Sequence, residues 1–151
     1  MSLATTLTQS DQNHPPLVLI HGLGSAATAF KPIIPALAQS FRVITVDLPG
    51  HGQSPYNKAQ AMDPKSLGRA IFESVESRYG INEFHVAGNS LGGWIALEMA
   101  ADKPERIKTL TGLAPAGLWL KPSSGRVPSE AQSYYLAKVL RPLIRVGLHI
   151  I

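Results

Sequence analysis

Four short strand-like segments recur along the chain, separated by helical patterns or turn-forming loops, and this alternation restricts the fold more than any other feature. Leu17-Val18-Leu19-Ile20 is apolar without a break, as suits a strand covered on both faces. Arg42 to Leu48, Phe84-His85-Val86-Ala87 and Ile107 to Leu113 are the other three segments. Residues 26–39 are Ala-rich and predict a helix, with Pro32 and Pro35 near its first turn. Leu67, Ala70, Ile71 and Val75 recur at helical spacing within Asp63–Tyr79, and Gly80 follows as a C-cap. Residues 90–101 predict a packed helix, with small and apolar side chains on several sides. Strands alternating with helices imply an α/β fold with a mainly parallel sheet flanked by helices. The expected order of the four strands, numbered along the chain, is second–first–third–fourth. Residues 1–14 leave room for one leading strand, over Leu3 to Thr8.

Composition excludes several classes. The 151 residues suffice for one domain, and 44% hydrophobic against 16% charged is globular and not disordered. There is no cysteine, so disulfides, thiolate metal sites and a cysteine nucleophile are out. No metal or organic cofactor is expected. Met1 to Ser10 has neither a basic flank nor an apolar stretch of signal-peptide type, and no segment offers the ~20 apolar residues of a membrane span. A cytoplasmic protein is the expectation. The net charge of +4 is uneven: residues 1–102 carry six Lys/Arg and eight Asp/Glu, residues 103–151 eight and two. The basic residues are dispersed and no aromatic-interleaved patch accompanies them, so neither nucleic acid nor membrane is expected as a partner.

The chemistry concentrates at Gly88-Asn89-Ser90-Leu91-Gly92, a G-x-S-x-G pattern lying between the third of these segments and the helix after it. A strand turning straight into a helix forces its pivot residue into a strained backbone conformation. Gly88 and Gly92 leave room for the turn because they lack a Cβ. The Ser90 hydroxyl then projects beyond the carboxyl end of the sheet, where open α/β folds bind ligands. Attack by Ser90 on a carbonyl would create an oxyanion that needs preorganised N–H donors. The N–H of Leu91 is one candidate. The N–H of Leu23 is the second, in His21-Gly22-Leu23-Gly24 directly after the first apolar run. His21 reads as ordering that turn rather than as a base.

Taken in order and spacing, His21-Gly22-Leu23-Gly24, Asp47-Leu48-Pro49-Gly50-His51-Gly52-Gln53-Ser54 and Gly88-Asn89-Ser90-Leu91-Gly92-Gly93 resemble the α/β-hydrolase superfamily over about residues 15–120. The resemblance implies a serine hydrolase acting on a small-molecule carboxylic ester or related acyl bond through Ser90. The elbow is similar to those of esterases and of carbon–carbon bond hydrolases that cleave dienoates. Serine at position 90 argues against epoxide hydrolases and haloalkane dehalogenases. Asp47 and His51 read as structural.

The same resemblance implies an acid and then a histidine after the serine. Beyond Ser90 the carboxylates are Glu98, Asp102, Glu105 and Glu130, and the one histidine is His149. Glu98 and Asp102 fall on the helix leaving the elbow and Glu105 in the following turn, so none is expected to face Ser90. Residues 1–120 therefore read as the N-terminal part of a hydrolase core. Residues 121–151 read as the start of a helical cap, with a linker over Lys121–Pro128, a helix opening at Ser129, and a sequence that looks cut. Trp119 is a candidate for the substrate pocket, and Trp94 for the core. A chain of this kind is expected to turn esters over poorly. It is also expected to self-associate through the edge of Ile107–Leu113 and through Val139, Leu140, Leu143, Ile144, Leu148 and Ile151. The alternative is a non-catalytic binding or interaction protein that keeps the hydrolase scaffold.

Overall fold

A computed structural model describes residues 3–8, 11–59 and 61–117. Trp119, the linker expected at Lys121–Pro128, the expected cap helix and apolar stripe, and His149 lie outside the described residues. The strands are β1 (Thr5–Leu7), β2 (Pro16–Ile20), β3 (Arg42–Val46), β4 (Phe84–Asn89) and β5 (Ile107–Leu113). The α-helices are α1 (Ile34–Leu37), α2 (Pro64–Tyr79) and α3 (Leu91–Asp102), with short 3-10 turns at Ala27–Phe30 and Pro104–Arg106.

The five strands form one sheet in the order β1-β3-β2-β4-β5. β3, β2, β4 and β5 are mutually parallel, in the order expected from the sequence. β1 is shorter than the segment expected and pairs antiparallel with β3, Thr5 opposite Val46. Tyr79 donates its hydroxyl to the Thr5 carbonyl at 3.1 Å, which ties this edge to the end of α2.

Alternation along the strands divides the core. Val18 and Ile20 of β2, Ile44 and Val46 of β3, Phe84 and Val86 of β4, and Ile107 and Leu110 of β5 face α2 and α3 and are buried with Leu67, Ile71, Ile95 and Met99. Leu17, Leu19 and Val43 face the other way and pack on Phe30, with Ile34, Leu37 and Phe41 at the margin. α2 begins and ends as its sequence dictates. Asp63 accepts the Ser66 N–H at 3.0 Å as N-cap, Pro64 opens the helix where no donor is needed, and Gly80 closes it in the left-handed region at φ 66°.

The expectation of one helix across residues 26–39 is corrected. The chain makes a 3-10 turn at Ala27–Phe30 and then a single α-helical turn at Ile34–Leu37. Pro32 and Pro35 have no N–H to donate to residues 28 and 31, so the α-helical ladder is interrupted twice. The bonds that form instead are tighter, such as Lys31 N–H to Thr28 C=O at 3.1 Å and Ile33 N–H to Phe30 C=O at 3.0 Å.

Candidate active site

β2, β3, β4 and β5 all end at one edge of the sheet, and three loops meet there. β4 runs two residues beyond the predicted apolar run, through Gly88 and Asn89, and delivers the chain directly to Ser90. Ser90 has φ 52° and ψ −112°, a left-handed conformation that a residue with a Cβ adopts only under strain, and it is exposed. Such strain persists only where surrounding structure fixes it. The Ser90 N–H donates to the Leu113 carbonyl at 3.0 Å, while the Ser90 carbonyl accepts from Trp94 N–H at 3.1 Å and from Ala116 N–H at 2.9 Å.

The glycines of the motif are close-packed. A Cβ on Gly88 would strike the carbonyl of Gly92, and a Cβ on Gly92 would strike the carbonyl of Ile20. A Cβ on Gly93 would lie 2.7 Å from Pro115 Cβ. α3 is thereby seated against β2, β4 and the turn after β5. Ala114 in that turn also has a positive φ, 44°. That Leu113–Ala116 brace the elbow is invisible in the sequence, since these residues carry no polar side-chain chemistry.

The loop after β2 lies directly on Ser90. A Cβ on Gly22 would come within 3.3 Å of Ser90 Cβ and of the Asn89 carbonyl. Gly24 follows at φ 72°, and the Leu23 side chain between them is 76% exposed. Among the described residues neither the Leu23 nor the Leu91 N–H donates to a protein acceptor. Leu91 is the first residue of α3, so its N–H points out of the helix.

His21 and His51 lie beneath and beside this loop, with ring centroids 5.2 Å apart. His21 is 1% exposed; its Nε2 accepts the Leu48 N–H at 3.0 Å and its Nδ1 contacts the Gly22 carbonyl at 2.7 Å. Burial holds its pKa below the ordinary imidazole value, and neighbouring His51 lowers it further. The Gly22 carbonyl and Asp47 oppose the shift. His51 Nε2 accepts the Gly24 N–H at 3.2 Å and its Nδ1 contacts the Pro49 carbonyl at 3.0 Å. Asp47, also buried, accepts the Ala27 N–H at 2.7 Å and the Gln53 N–H at 3.0 Å. Its backbone carbonyl accepts the Ser54 hydroxyl at 2.6 Å. Gly52, at φ 52°, lies where any Cβ would strike the Asp47 carboxylate.

The other titratable groups point elsewhere. Asp102, at the far end of α3, is bonded by Arg69 at 3.0 and 3.1 Å and lies 3.2 Å from Lys65. The Arg69 bonds, with Lys65 behind them, hold its carboxyl down at about 2. His85 bonds Thr109 at 2.7 Å on the opposite face of the sheet. No histidine and no carboxylate among the described residues is bonded to the Ser90 hydroxyl, and none forms a group of three or more metal-ligating side chains. No described helix is long and apolar enough to cross a membrane.

Known proteins are similar to this chain in sequence and fold. A family model described as alpha/beta hydrolase fold matches residues 15–146. Over 103 residues the chain is 39% identical to the dihydrolipoyllysine-residue acetyltransferase component of the acetoin cleaving system of Pseudomonas putida, covering 68% of this chain and 27% of that protein. Over 98 residues it is 35% identical to the pimeloyl-(acyl-carrier protein) methyl ester esterase of Legionella pneumophila strain Lens, covering 65% of this chain and 37% of that one. The chain thus spans well under half the length of these relatives. Among solved structures it resembles the 2-hydroxy-6-oxo-6-phenylhexa-2,4-dienoate hydrolase of Rhodococcus sp. strain RHA1. The TM-score is 0.66 at 30% identity, over 94% of this chain and 52% of that one. With the family model matching most of its length, the chain belongs to the alpha/beta hydrolase fold family.

Proposed function

We propose that Ser90 is the nucleophile of a hydrolase of carboxylic esters and related acyl bonds, and that the Leu23 and Leu91 N–H groups bind the oxyanion. The observation that carries this reading is the strained backbone of an exposed serine between β4 and α3, with Gly22 held against it. Gly22, Gly24, Gly88 and Gly92 shape the two loops, and His21 orders the first of them. In the reaction, Ser90 Oγ attacks the carbonyl carbon and its proton passes to a base. The tetrahedral intermediate collapses with loss of the alkoxide, and water then releases the acid. The substrate is a small molecule, and no cofactor takes part.

The base lies outside the described residues. His21 and His51 each have both ring nitrogens engaged, and Asp102 is committed to Arg69 and Lys65. We place residues 1–120 in the hydrolase core and residues 121–151 in the beginning of a cap, with Trp119 toward the substrate. The engaged histidines also favour a second reading, a scaffold that binds acyl compounds without turning them over.

Acyl transfer separates the two readings. Loss of a triad costs about a millionfold in turnover, whereas oxyanion stabilisation alone keeps about a thousandfold or more over water. The purified chain, incubated with p-nitrophenyl butyrate, should gain one butyryl group at Ser90, with p-nitrophenolate as leaving group and slow release thereafter. Intact mass and peptide mapping read the site, with Ser90→Ala as the control. Butyrylation confined to lysines, or unchanged in Ser90→Ala, would leave the binding reading standing and remove the nucleophile assignment.

A further inference from the structure

His21 and His51 are arranged reciprocally. Each sits in one loop, accepts a backbone N–H from the other loop, and meets a carbonyl of its own. His21, after β2, accepts from Leu48 after β3 at 3.0 Å and faces its neighbour's Gly22 carbonyl at 2.7 Å. His51, after β3, accepts from Gly24 after β2 at 3.2 Å and faces the Pro49 carbonyl at 3.0 Å. A backbone N–H can only donate, so Nε2 of both rings is bare. A neutral ring then carries its proton on Nδ1, which is the nitrogen that meets a carbonyl in each case. One tautomer, Nδ1–H, satisfies all four contacts at once. The other tautomer sets an N–H against an N–H and a lone pair against a carbonyl in both places.

The segment so held is His21–Gly24, which contains the Leu23 N–H and places Gly22 against Ser90. We propose that His21 and His51 are a coupled pair of positioning residues, a double clasp that fixes the Leu23 N–H over Ser90 only while both rings are neutral. This rests on the reading of Leu23 and Ser90 given above. Protonating either ring converts its Nε2 acceptor into a donor facing the Leu48 or Gly24 N–H and frees one loop from the other. Of the charged and titratable groups, His51 and Asp47 are the ones that act on His21. The Asp47 carboxylate is occupied by Ala27 and Gln53, so it steadies the loops without bonding to either ring. A second proton would place two like charges 5.2 Å apart. The clasp therefore loosens on acidification, and the burial that keeps His21 from protonating defends it near neutrality.

The test combines imidazole nitrogen NMR, amide exchange and acylation. On the whole chain near neutral pH, by solution NMR or by magic-angle spinning if the sample is associated, both rings should show Nδ1 protonated and Nε2 bare. His51→Ala should speed exchange of the Gly24 amide by about tenfold or more. It should also slow Ser90 butyrylation by p-nitrophenyl butyrate by about tenfold, a fraction of what losing an oxyanion donor outright costs. His51→Gln, whose Oε1 can take the place of Nε2 but does not titrate, should restore both to within about twofold of the native chain. The native rate should fall as pH is lowered and His21 takes up its proton, which burial delays to below the ordinary imidazole range. An Nε2–H tautomer in either ring, Gly24 exchange indifferent to His51→Ala, or equal losses in the Ala and Gln variants would each overturn the proposal. If the native chain fails to butyrylate Ser90, the nucleophile assignment falls. The tautomers and Gly24 exchange then still decide whether the clasp exists.

Discussion

The two faces of the sheet are built on different scales. Toward α2 and α3 each of the four parallel strands contributes buried side chains, and the helices add Leu67, Ile71, Phe72, Ile95 and Met99. Toward α1 the buried set is Leu17, Leu19, Phe30 and Val43, and among the described residues a single α-helical turn lies over it. A groove of about 250 Å³ remains on that side, between Ile33, Leu37 and Phe41 on one wall and Ala87, Thr111 and Leu113 on the other. Stability and shape therefore have separate sources in this molecule. Burial removes apolar area from water at about 25 cal/mol per Å², so the face with two long helices anchors the fold and the face with one turn contributes little. Ser90 sits at the edge between them, its own strand braced by the thick face.

Removing a side chain from each face tests this contrast. Phe84→Ala, which empties a fully buried position against Phe72, should cost about 3–5 kcal/mol in urea unfolding. Leu37→Ala, at a half-buried position on the thin face, should cost about 1 kcal/mol. Equal costs would mean that residues outside the described set complete the thin face. The ion cluster on the thick side should matter less. Asp102→Asn should lower stability by at most about 1 kcal/mol at neutral pH, since the Arg69 and Lys65 side chains are about half open to solvent. The folded carboxyl titrates at about 2, below its ordinary 3.8. Its contribution is therefore present above pH 3.8 and lost as pH falls through about 2, and native and variant stabilities should converge there. The smallest stability effect, within about 0.5 kcal/mol, is expected for Ile33→Lys in the groove, where the side chain is 46% exposed. If the open face drives self-association, sedimentation should nonetheless show the variant shifted to smaller species. Unchanged sedimentation would direct attention to β5, which forms one edge of the described sheet.

Local chemistry makes much of this legible in advance. The run at Leu17–Ile20 shows a strand because its apolar residues are contiguous, and Asp63 and Gly80 bound α2 by capping alone. Ser90 stands out because two glycines flanking a serine at a strand–helix junction suit a sharp turn and little else. What escapes depends on distance through space. Nothing in Ala27–Leu37 announces that two prolines divide the segment until the loss of two donors is counted against the length of the helix. Residues 5–7 do not reveal that they will pair antiparallel with β3. His51 reads as a loop histidine, and its exchange of bonds with His21 emerges only when two loops distant in the chain are brought together. The brace at Leu113–Ala116 uses backbone groups alone, so side-chain identity carries no trace of it.

That brace bears on when the site comes into being during synthesis. The strained conformation of Ser90 is held by the carbonyl of Leu113 and the N–H of Ala116, both more than twenty residues later in the chain. A ribosome adds about 5–20 residues per second. For a second or more after Ser90 is made, the partners that hold it do not exist, and the relaxed backbone is the favoured one. The elbow is thus assembled late by vectorial folding, after β5 has docked beside β4. A nascent chain carries Ser90 well before it carries the partners that hold the backbone of the elbow in its strained form.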